Sequence, residues 1–418
     1  MRLLHTSDLH LGRQLCGESR GPVFGKLLDW LLELIRKESV DVLVIAGDVF
    51  DSPTPPTAAQ HLYYSFLARL RETGCQMAVV VAGNHDSPQL INAPKEVLLP
   101  LGVHVAGRAA KDPADEVLIL RNEDGSPRAA FCAVPFLREA DIRTLSCDDT
   151  LENRGERLAQ GIAEHYRKAV NAALEALGDA RPRVPLIATG HLFVRGGSAG
   201  TGERELYVGS LGDVPAAAFP EEIDYLALGH LHKPQKVDGN IARNYCGAPL
   251  ALDFSEGSSP RFVNLVEFEG KTPTVTPIAV PAFDRIATVR GDESEIHAQL
   301  QGLAHANEPA LIEIIHEGTK PMPMIAETAK EILADSPVRV LRIRDEARRI
   351  RVLSGEDTAR DLAELTPAEV FGLRLDKAEV PAEERAELAA AYEEILQRVT
   401  MPEASDTEEE THTKENAR

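Results

Sequence analysis

Four short apolar runs, each closed by a glycine and then by Asp, Asn or His, constrain this chain more than any other feature. Val40–Ala46 leads into Gly47-Asp48, Met77–Ala82 into Gly83-Asn84, Val184–Thr189 into Gly190-His191, and Asp224–Leu228 into Gly229-His230. The runs are short, largely β-branched and bounded by Gly or Pro, which predicts buried strands. Between them lie amphipathic helical patterns. Val23–Ser39 places Phe24, Leu27, Leu28, Leu31, Leu34 and Ile35 on one stripe, and Thr57–Thr73 and Glu152–Leu177 are similar. Strands alternating with helices predict an α/β layered domain. From Asn240 to Val280 strands such as Phe262–Phe268 follow one another without helices, as in a sheet-rich closing half.

A chain of 418 residues has length for two or three domains. The stretch Pro277–Phe283 is the expected boundary, giving a first domain over 1–281. Beyond it Arg285–Arg290, Glu293–Ala304, Ala310–His316, Met324–Ala334 and Val338–Arg344 read β-α-β-α-β, a small second domain over 282–350. Over 351–400 two helices are expected. Thr366-Pro-Ala-Glu369 is a capping box with proline at the first helical position. Pro381–Val399 carries Leu388, Tyr392, Ile395, Leu396 and Val399 on one face. Residues 401–418, with six acidic and two basic side chains, are expected to be a disordered tail.

No apolar stretch is long enough to cross a bilayer, and MRLLHTSDLH at the start has no long apolar core or cleavage signal. A cytoplasmic protein without membrane attachment is the expectation. Cys16, Cys75, Cys132, Cys147 and Cys246 form no CxxC pair, so neither a zinc knuckle nor a disulfide framework is indicated.

Five polar clusters carry the chemistry: Asp8-Leu-His10, Gly47-Asp48-Val-Phe-Asp51, Gly83-Asn84-His85-Asp86, Gly190-His191 and Gly229-His230-Leu-His232. Each follows a strand, at the sheet edge where loops of α/β proteins bind ligands. His, Asp and Asn without thiolate suit manganese, iron or zinc. More than four candidate ligands imply two ions sharing a carboxylate, a centre for in-line displacement at phosphorus. Any one cluster alone is an ordinary turn or capping motif; the five in this order are not.

The order DxH, GDxxD, GNHD, GH, GHxH resembles the calcineurin-like metallophosphoesterase superfamily. LLHTSDLHLG at 3–12, AGDVFDSPTPP at 46–56, VAGNHDSP at 81–88, LALGHLHKPQ at 226–235 and NYCGAPLALDFSE at 244–256 look like the SbcD-type nuclease subunits of bacteria. The resemblance implies a layered sandwich of two central β-sheets flanked by helices, with a small α+β capping domain and C-terminal helices. It also implies that Asp8, His10, Asp48 and His232 hold one metal ion. Asp48, Asn84, His191 and His230 would hold the other, and the ions would most often be Mn2+. His85 would stabilise or protonate the leaving oxygen, and Asp86 would orient His85. Archaeal relatives carry a second functional His where this chain has Asp51. Asp51 is therefore left without a role beyond capping the Ser52-Pro53 turn.

The metal centre alone does not name the substrate, because protein phosphatases, cyclic-nucleotide esterases and nucleases share it. The family implies DNA. The chain has 45 basic and 66 acidic residues, a net charge of −21, opposite to that of a free-standing DNA binder. Local positive charge lies in Pro337–Arg351, where six arginines, Arg342 and Arg344 among them, stand against two acids. Arg195, in the Gly-rich loop 194–202, is a further candidate phosphate contact. The helix face Leu388, Tyr392, Ile395, Leu396 resembles the segment that grips an SbcC-type coiled-coil ATPase. That partner would supply basic surface and also ATP hydrolysis, because this chain has no GxxxxGK[ST] loop. The family further implies a homodimer of nuclease subunits within a heterotetramer. The expected activity is 3′-to-5′ exonuclease action on duplex ends and endonuclease action on hairpins or single strands. Competing readings are a stand-alone phosphoesterase on nucleotides or phosphoproteins, and a binding module with a vestigial centre.

Overall fold

The computed structural model describes residues 1–142, 151–194, 214–257, 259–318, 322–346, 366–377 and 380–400. Met1–Asp357 form one compact unit and Thr358–Arg418 a second. In the first, strict alternation along each strand sorts the apolar side chains into layers. Strands β1 (Arg2–Thr6), β2 (Val42–Ala46), β3 (Met77–Val81) and β4 (Val103–Ala106) are parallel neighbours. Leu3, Val42, Val44, Val79 and Val81 point into the sandwich. Leu4, Leu43, Ile45 and Val80 point outward onto helices α1 (Gly21–Lys37) and α2 (Thr57–Leu70).

The second sheet repeats the plan. It contains β5 (Val117–Arg121), β6 (Pro127–Cys132), β7 (Leu186–His191), β8 (Tyr225–Gly229), β9 (Gln235–Lys236) and β10 (Arg243–Tyr245), in the order β9-β10-β8-β7-β6-β5. Phe131, Ile187, Tyr225 and Ala227 meet the first sheet across the middle layer. Leu186, Ala188, Leu226 and Leu228 face helix α3 (Leu151–Leu177), against Ile162, Tyr166, Val170 and Ala173. The result is a four-layer α-β-β-α sandwich, the fold class expected from the sequence. The first sheet is completed by β11 (Phe262–Glu269) and β12 (Thr272–Ala279), in the order β12-β11-β1-β2-β3-β4. β12 runs through Pro277, so the expected boundary begins inside a strand. Proline is tolerated there because β12 is an edge strand paired only with β11.

A separate sheet follows: β13 (Ile286–Gly291), β14 (Ala310–His316) and β15 (Val338–Asp345), crossed over by α4 (Glu293–Ala306) and α5 (Met322–Ile332). All three strands are parallel. The small domain is thus a β-α-β-α-β crossover unit, in the element order the sequence predicts. Asp292 caps α4 in a full capping box with Glu295. In the second unit, α6 (Pro367–Lys377) begins with the expected box, Thr366 Oγ1 accepting from the Glu369 amide at 3.2 Å. Helix α7 (Ala382–Thr400) stacks Tyr392 on Phe371 of α6 at a centroid distance of 4.0 Å. Leu388 is 39% exposed, and Leu396 is half-buried. The Ile395 side chain, Arg195, Cys147, Arg348, Arg349, Arg351 and the tail 401–418 lie outside the described residues. No helix among the described residues is long and apolar enough to cross a membrane.

Candidate metal centre

The carboxyl ends of β1, β2 and β3 in one sheet and β7 and β8 in the other converge at one end of the sandwich. The loops after β1 and β2 continue the ladder beyond the strands, Asp8 N to Gly47 O and His10 N to Asp48 O both at 3.0 Å. This continuation takes unusual backbone. Asp8 (φ +52°), His10 (φ +45°), Asp48 (φ +48°) and His230 (φ +99°) all sit at positive φ. Such conformations cost ~1–3 kcal/mol each and cluster at functional sites. Close approach accounts for the glycine at 83: a Cβ there would lie 2.1 Å from Asp48 Oδ1 and 2.4 Å from the Asp48 amide.

Asp48 is central. Its Oδ1 accepts the His85 amide at 2.9 Å. Its Oδ2 lies 3.5 Å from His10 Nε2 and 3.3 Å from His191 Nε2. One oxygen therefore faces an imidazole on either side, the position a bridging carboxylate needs. Ligand atoms of Asp8, His10 and His232 lie within 4.8 Å of one another, as do those of Asp8, Asp48 and His191. His191 donates Nδ1–H to the Ala46 carbonyl at 2.9 Å and turns Nε2 toward Asn84 Oδ1 at 3.0 Å. Lone-pair atoms thus point at one another with only a proton or a cation to reconcile them. His230 presses in beside His191, ring centroids 5.6 Å apart, and its amide holds Asp8 Oδ1 at 3.0 Å.

Burial alone would raise the Asp48 carboxyl, but the imidazoles of His191, His85 and His10 outweigh it and hold the group well below the usual range. For His191 burial works downward, and the charge and hydrogen bond of Asp48 win, lifting it to about 9. Burial and then the charge of His191 keep His230 neutral, far below its ordinary value. Both ring nitrogens of His10, which is 2% exposed, lack a hydrogen-bond partner. Orphaned buried nitrogens beside two carboxylates are costly in a metal-free protein and fit a bound cation. The donor set, carboxylate and amide oxygen with imidazole nitrogen, suits divalent metals.

Supports outside the expected set complete the centre. His232 donates Nδ1–H to Glu256 Oε1 at 2.9 Å. Burial would raise the Glu256 carboxyl, but His232, the Leu252 amide and Arg261 hold it below its usual value. The Asp51 carbonyl holds His85 Nδ1 at 2.8 Å. The Asp51 carboxylate faces Arg13 Nη1 at 3.1 Å and lies 3.3 Å from His10 Nδ1, out of line for a hydrogen bond. Asp51 therefore does more than cap a turn.

Two of the expected residues make contacts that the sequence does not mark. The sequence points to Asp86 as the group that orients the His85 ring. Instead its carboxylate accepts the amides of Val49 at 3.0 Å, Phe50 at 2.8 Å and Gly83 at 2.9 Å, lacing the loop after β2 to the one after β3. The sequence also points to Arg342 as a DNA contact, but it is bound to buried Glu313 at 2.6 and 3.1 Å and lies 5.7 Å over the Phe254 ring. Its side chain remains 46% exposed. Arg344 is 36% exposed and lies 3.9 Å from Glu346.

The family model of calcineurin-like phosphoesterases matches residues 1–234, more than half of the chain. In Escherichia coli the SbcD component of nuclease SbcCD is 36% identical over 400 residues, covering 95% of this chain and 98% of that protein. The chain belongs to the SbcD-type nuclease subunits. The SbcD protein of Rhodobacter capsulatus is 38% identical over 327 residues, covering 74% of this chain and 77% of its own. That from Bacillus subtilis is 34% identical over 269 residues, covering 64% and 66%. A second model, described as the type 5 capsule protein repressor C-terminal domain, matches residues 282–379 of this SbcD-type chain. As a member of a metallophosphoesterase family, the chain is a metal-dependent hydrolase.

Proposed function

We propose that this chain is the nuclease subunit of a complex with an SbcC-type coiled-coil ATPase and hydrolyses DNA phosphodiesters at the strand-end cluster. The observation that carries the reading is Asp48 Oδ2, flanked at 3.5 and 3.3 Å by imidazoles of two ligand sets drawn from both sheets. Asp8, His10, Asp48 and His232 would hold one ion and Asp48, Asn84, His191 and His230 the other, most often Mn2+. Such a pair supplies an activated water and charge for the attacking and leaving oxygens.

The chain's own residues do the rest. Asp48 keeps its negative charge because three imidazoles surround it. His191, by giving Nδ1–H to Ala46, keeps Nε2 directed into the cluster. His85, with Nδ1 engaged by the Asp51 carbonyl, exchanges a proton with the leaving oxygen through Nε2, as a general acid. Asp86 keeps the two loops carrying Asp48 and His85 in register.

The domain plan follows: nuclease domain 1–281, small DNA-guiding domain 282–350, partner-binding helices 351–400, tail 401–418. Leu388, Tyr392, Ile395 and Leu396 are the partner-binding side chains, and Arg344 and Arg195 contact phosphate. With a net charge of −21, much of the DNA surface comes from the partner, as does ATP dependence. Two nuclease subunits and two ATPase chains assemble in the cytoplasm, acting as a 3′-to-5′ exonuclease and hairpin endonuclease in DNA repair, recombination and replication.

Cleavage of a hairpin-ended duplex in Mn2+, with and without the ATPase and ATP, tests the reading against His85→Ala and Asp48→Ala. Cleavage that needs partner and ATP and is lost in both variants supports it. DNA left intact under every condition, with a small phosphodiester still hydrolysed, would leave a stand-alone phosphoesterase instead.

A further inference from the structure

The turn Phe254–Glu256 touches two parts of the molecule with different jobs. On one side Glu256 Oε1 receives His232 Nδ1–H at 2.9 Å. On the other Phe254, 5% exposed, is buried with Leu15 and Ile286, and Leu311 and Leu341 of the small sheet pack on it. Arg342, anchored to Glu313, covers its ring. At Gly257 the small domain comes so close that a Cβ would lie 2.3 Å from the Ile286 carbonyl oxygen. At the other end of the turn the Ala251 carbonyl accepts Arg20 Nη1 at 2.6 Å. The same buried guanidinium grips Asp284, just before β13, at 3.0 and 3.1 Å.

Nor can the Glu256 carboxylate move apart from its backbone. Oε2 accepts the Leu252 amide at 2.9 Å, closing the turn on itself. Arg261 donates to the Glu256 carbonyl at 2.7 Å and to the His232 carbonyl at 3.2 Å. Turn, carboxylate and His232 backbone form one tied body. Close-packed contacts transmit displacement instead of absorbing it.

We propose that residues 251–257 are a strut through which the seating of the small domain sets the His232 imidazole, with Glu256 its positioning residue and Phe254 its foot. The proposal rests on the metal-centre reading above and deepens it. A carboxylate behind a ligating imidazole fixes its tautomer, direction and basicity, and its loss typically costs ~10–100-fold in metal affinity. Displacement of the small domain, by DNA or by a partner, thereby loosens the ion held by Asp8, His10 and His232. The set Asp48, Asn84, His191 and His230 is spared, since His191 takes its support from Ala46 in β2.

Mn2+ titration of the full-length chain by calorimetry, with electron paramagnetic resonance of the bound ions, tests this without any turnover. Wild type takes up two ions. Glu256→Ala weakens one step ~10–100-fold and spares the other. Phe254→Ala, which touches no ligand, weakens the same step several-fold, and Phe254→Leu restores it. Arg342→Ala, at a half-exposed side chain, lowers the same step even if Phe254→Ala fails to fold. Wild-type isotherms from the folded Phe254 and Arg342 variants would overturn the strut and leave the metal centre standing. Equal weakening of both steps would overturn it too. A wild-type chain that binds no ion pair would remove the metal-centre reading itself, and the strut with it.

Discussion

Asp86 offers the sharpest test of how the centre is held, because two substitutions there differ in hydrogen bonding and hardly at all in charge. The carboxylate accepts three buried amides, from Val49 and Gly83 on Oδ2 and from Phe50 on Oδ1. Burial and then the charge of Asp48 push its pKa up to about 6, against the pull of those amides. Removing the charge therefore relieves repulsion in the metal-free protein, but Asp86→Asn and Asp86→Ala relieve it alike. What distinguishes them is the acceptor count. An asparagine oxygen turned to Val49 and Gly83 satisfies two amides, strands Phe50 and leaves its own Nδ2 donor against that amide. Alanine strands all three.

Asn thus leaves two unsatisfied donor groups and Ala three, and at about 1–3 kcal/mol each Ala is expected to be about 1–3 kcal/mol less stable than Asn. Unfolding entropy near 2.1 cal/mol/K per residue gives about 0.75 kcal/mol/K for the 1–357 unit. The Ala variant should then melt about 1–4 °C below the Asn variant. Scanning calorimetry of both chains in a metal chelator at pH 8 reads this directly. Coincident melting would refute the lacing role. The sequence expectation, a carboxylate that orients His85, would then return.

Three further outcomes follow from the same geometry. His85→Ala should slow DNA cleavage by ~10²–10⁴-fold while the two-step Mn2+ isotherm stays as in wild type; loss of a binding step would instead make His85 a ligand. Gly83→Ala drives a methyl against Asp48 and should abolish cleavage and lower Tm. Gly17→Ala, at φ +83° with nothing within 4 Å, costs only ~1–2 kcal/mol and keeps cleavage. Arg344→Ala should reduce the salt slope of DNA binding by about 1, read by fluorescence anisotropy across a salt titration. Arg342→Ala leaves that slope unchanged and lowers stability by about 1–3 kcal/mol, because Glu313 is stranded. A denaturant melt measures it, and equal slopes for the two variants would contradict the assignment.

The candidate ligands are legible in the sequence and their supports are not, for one physical reason. Asp48, Asn84, His191 and His230 each follow an apolar run and a glycine, a signal contained in a few consecutive residues. Glu256 lies 24 residues from the His232 it holds, and the Ala46 carbonyl 145 from His191. A backbone carbonyl belongs to every residue type, so no composition marks it. Asp86 misleads for a related reason. A carboxylate beside a histidine suggests a pair, yet three amides brought in from two loops claim its oxygens first. The fold shows the same split. The long helices and the β-branched strands that run into a Gly-plus-polar cluster are readable to within a few residues, whereas β4, β5 and β6 end in no such cluster to mark them.

Asp51 shows how far such a reading can be carried once the supports are visible. At a position where archaeal relatives place a functional histidine, a carboxylate could take over proton transfer only if it were protonated near neutral pH. Burial pushes the Asp51 carboxyl in that direction, but His10 and Arg13 pull it the other way and win, leaving it below its ordinary value. It is therefore ionised near neutral pH, and an ionised carboxylate 3.1 Å from a guanidinium has no proton to give. Its contribution comes through its main chain instead, since the Asp51 carbonyl at 2.8 Å from Nδ1 sets the His85 ring. That contribution is indifferent to the side chain. On the proposed reading, proton transfer at the leaving oxygen falls to His85, while the Asp51 carboxylate keeps Arg13 at the edge of the cluster.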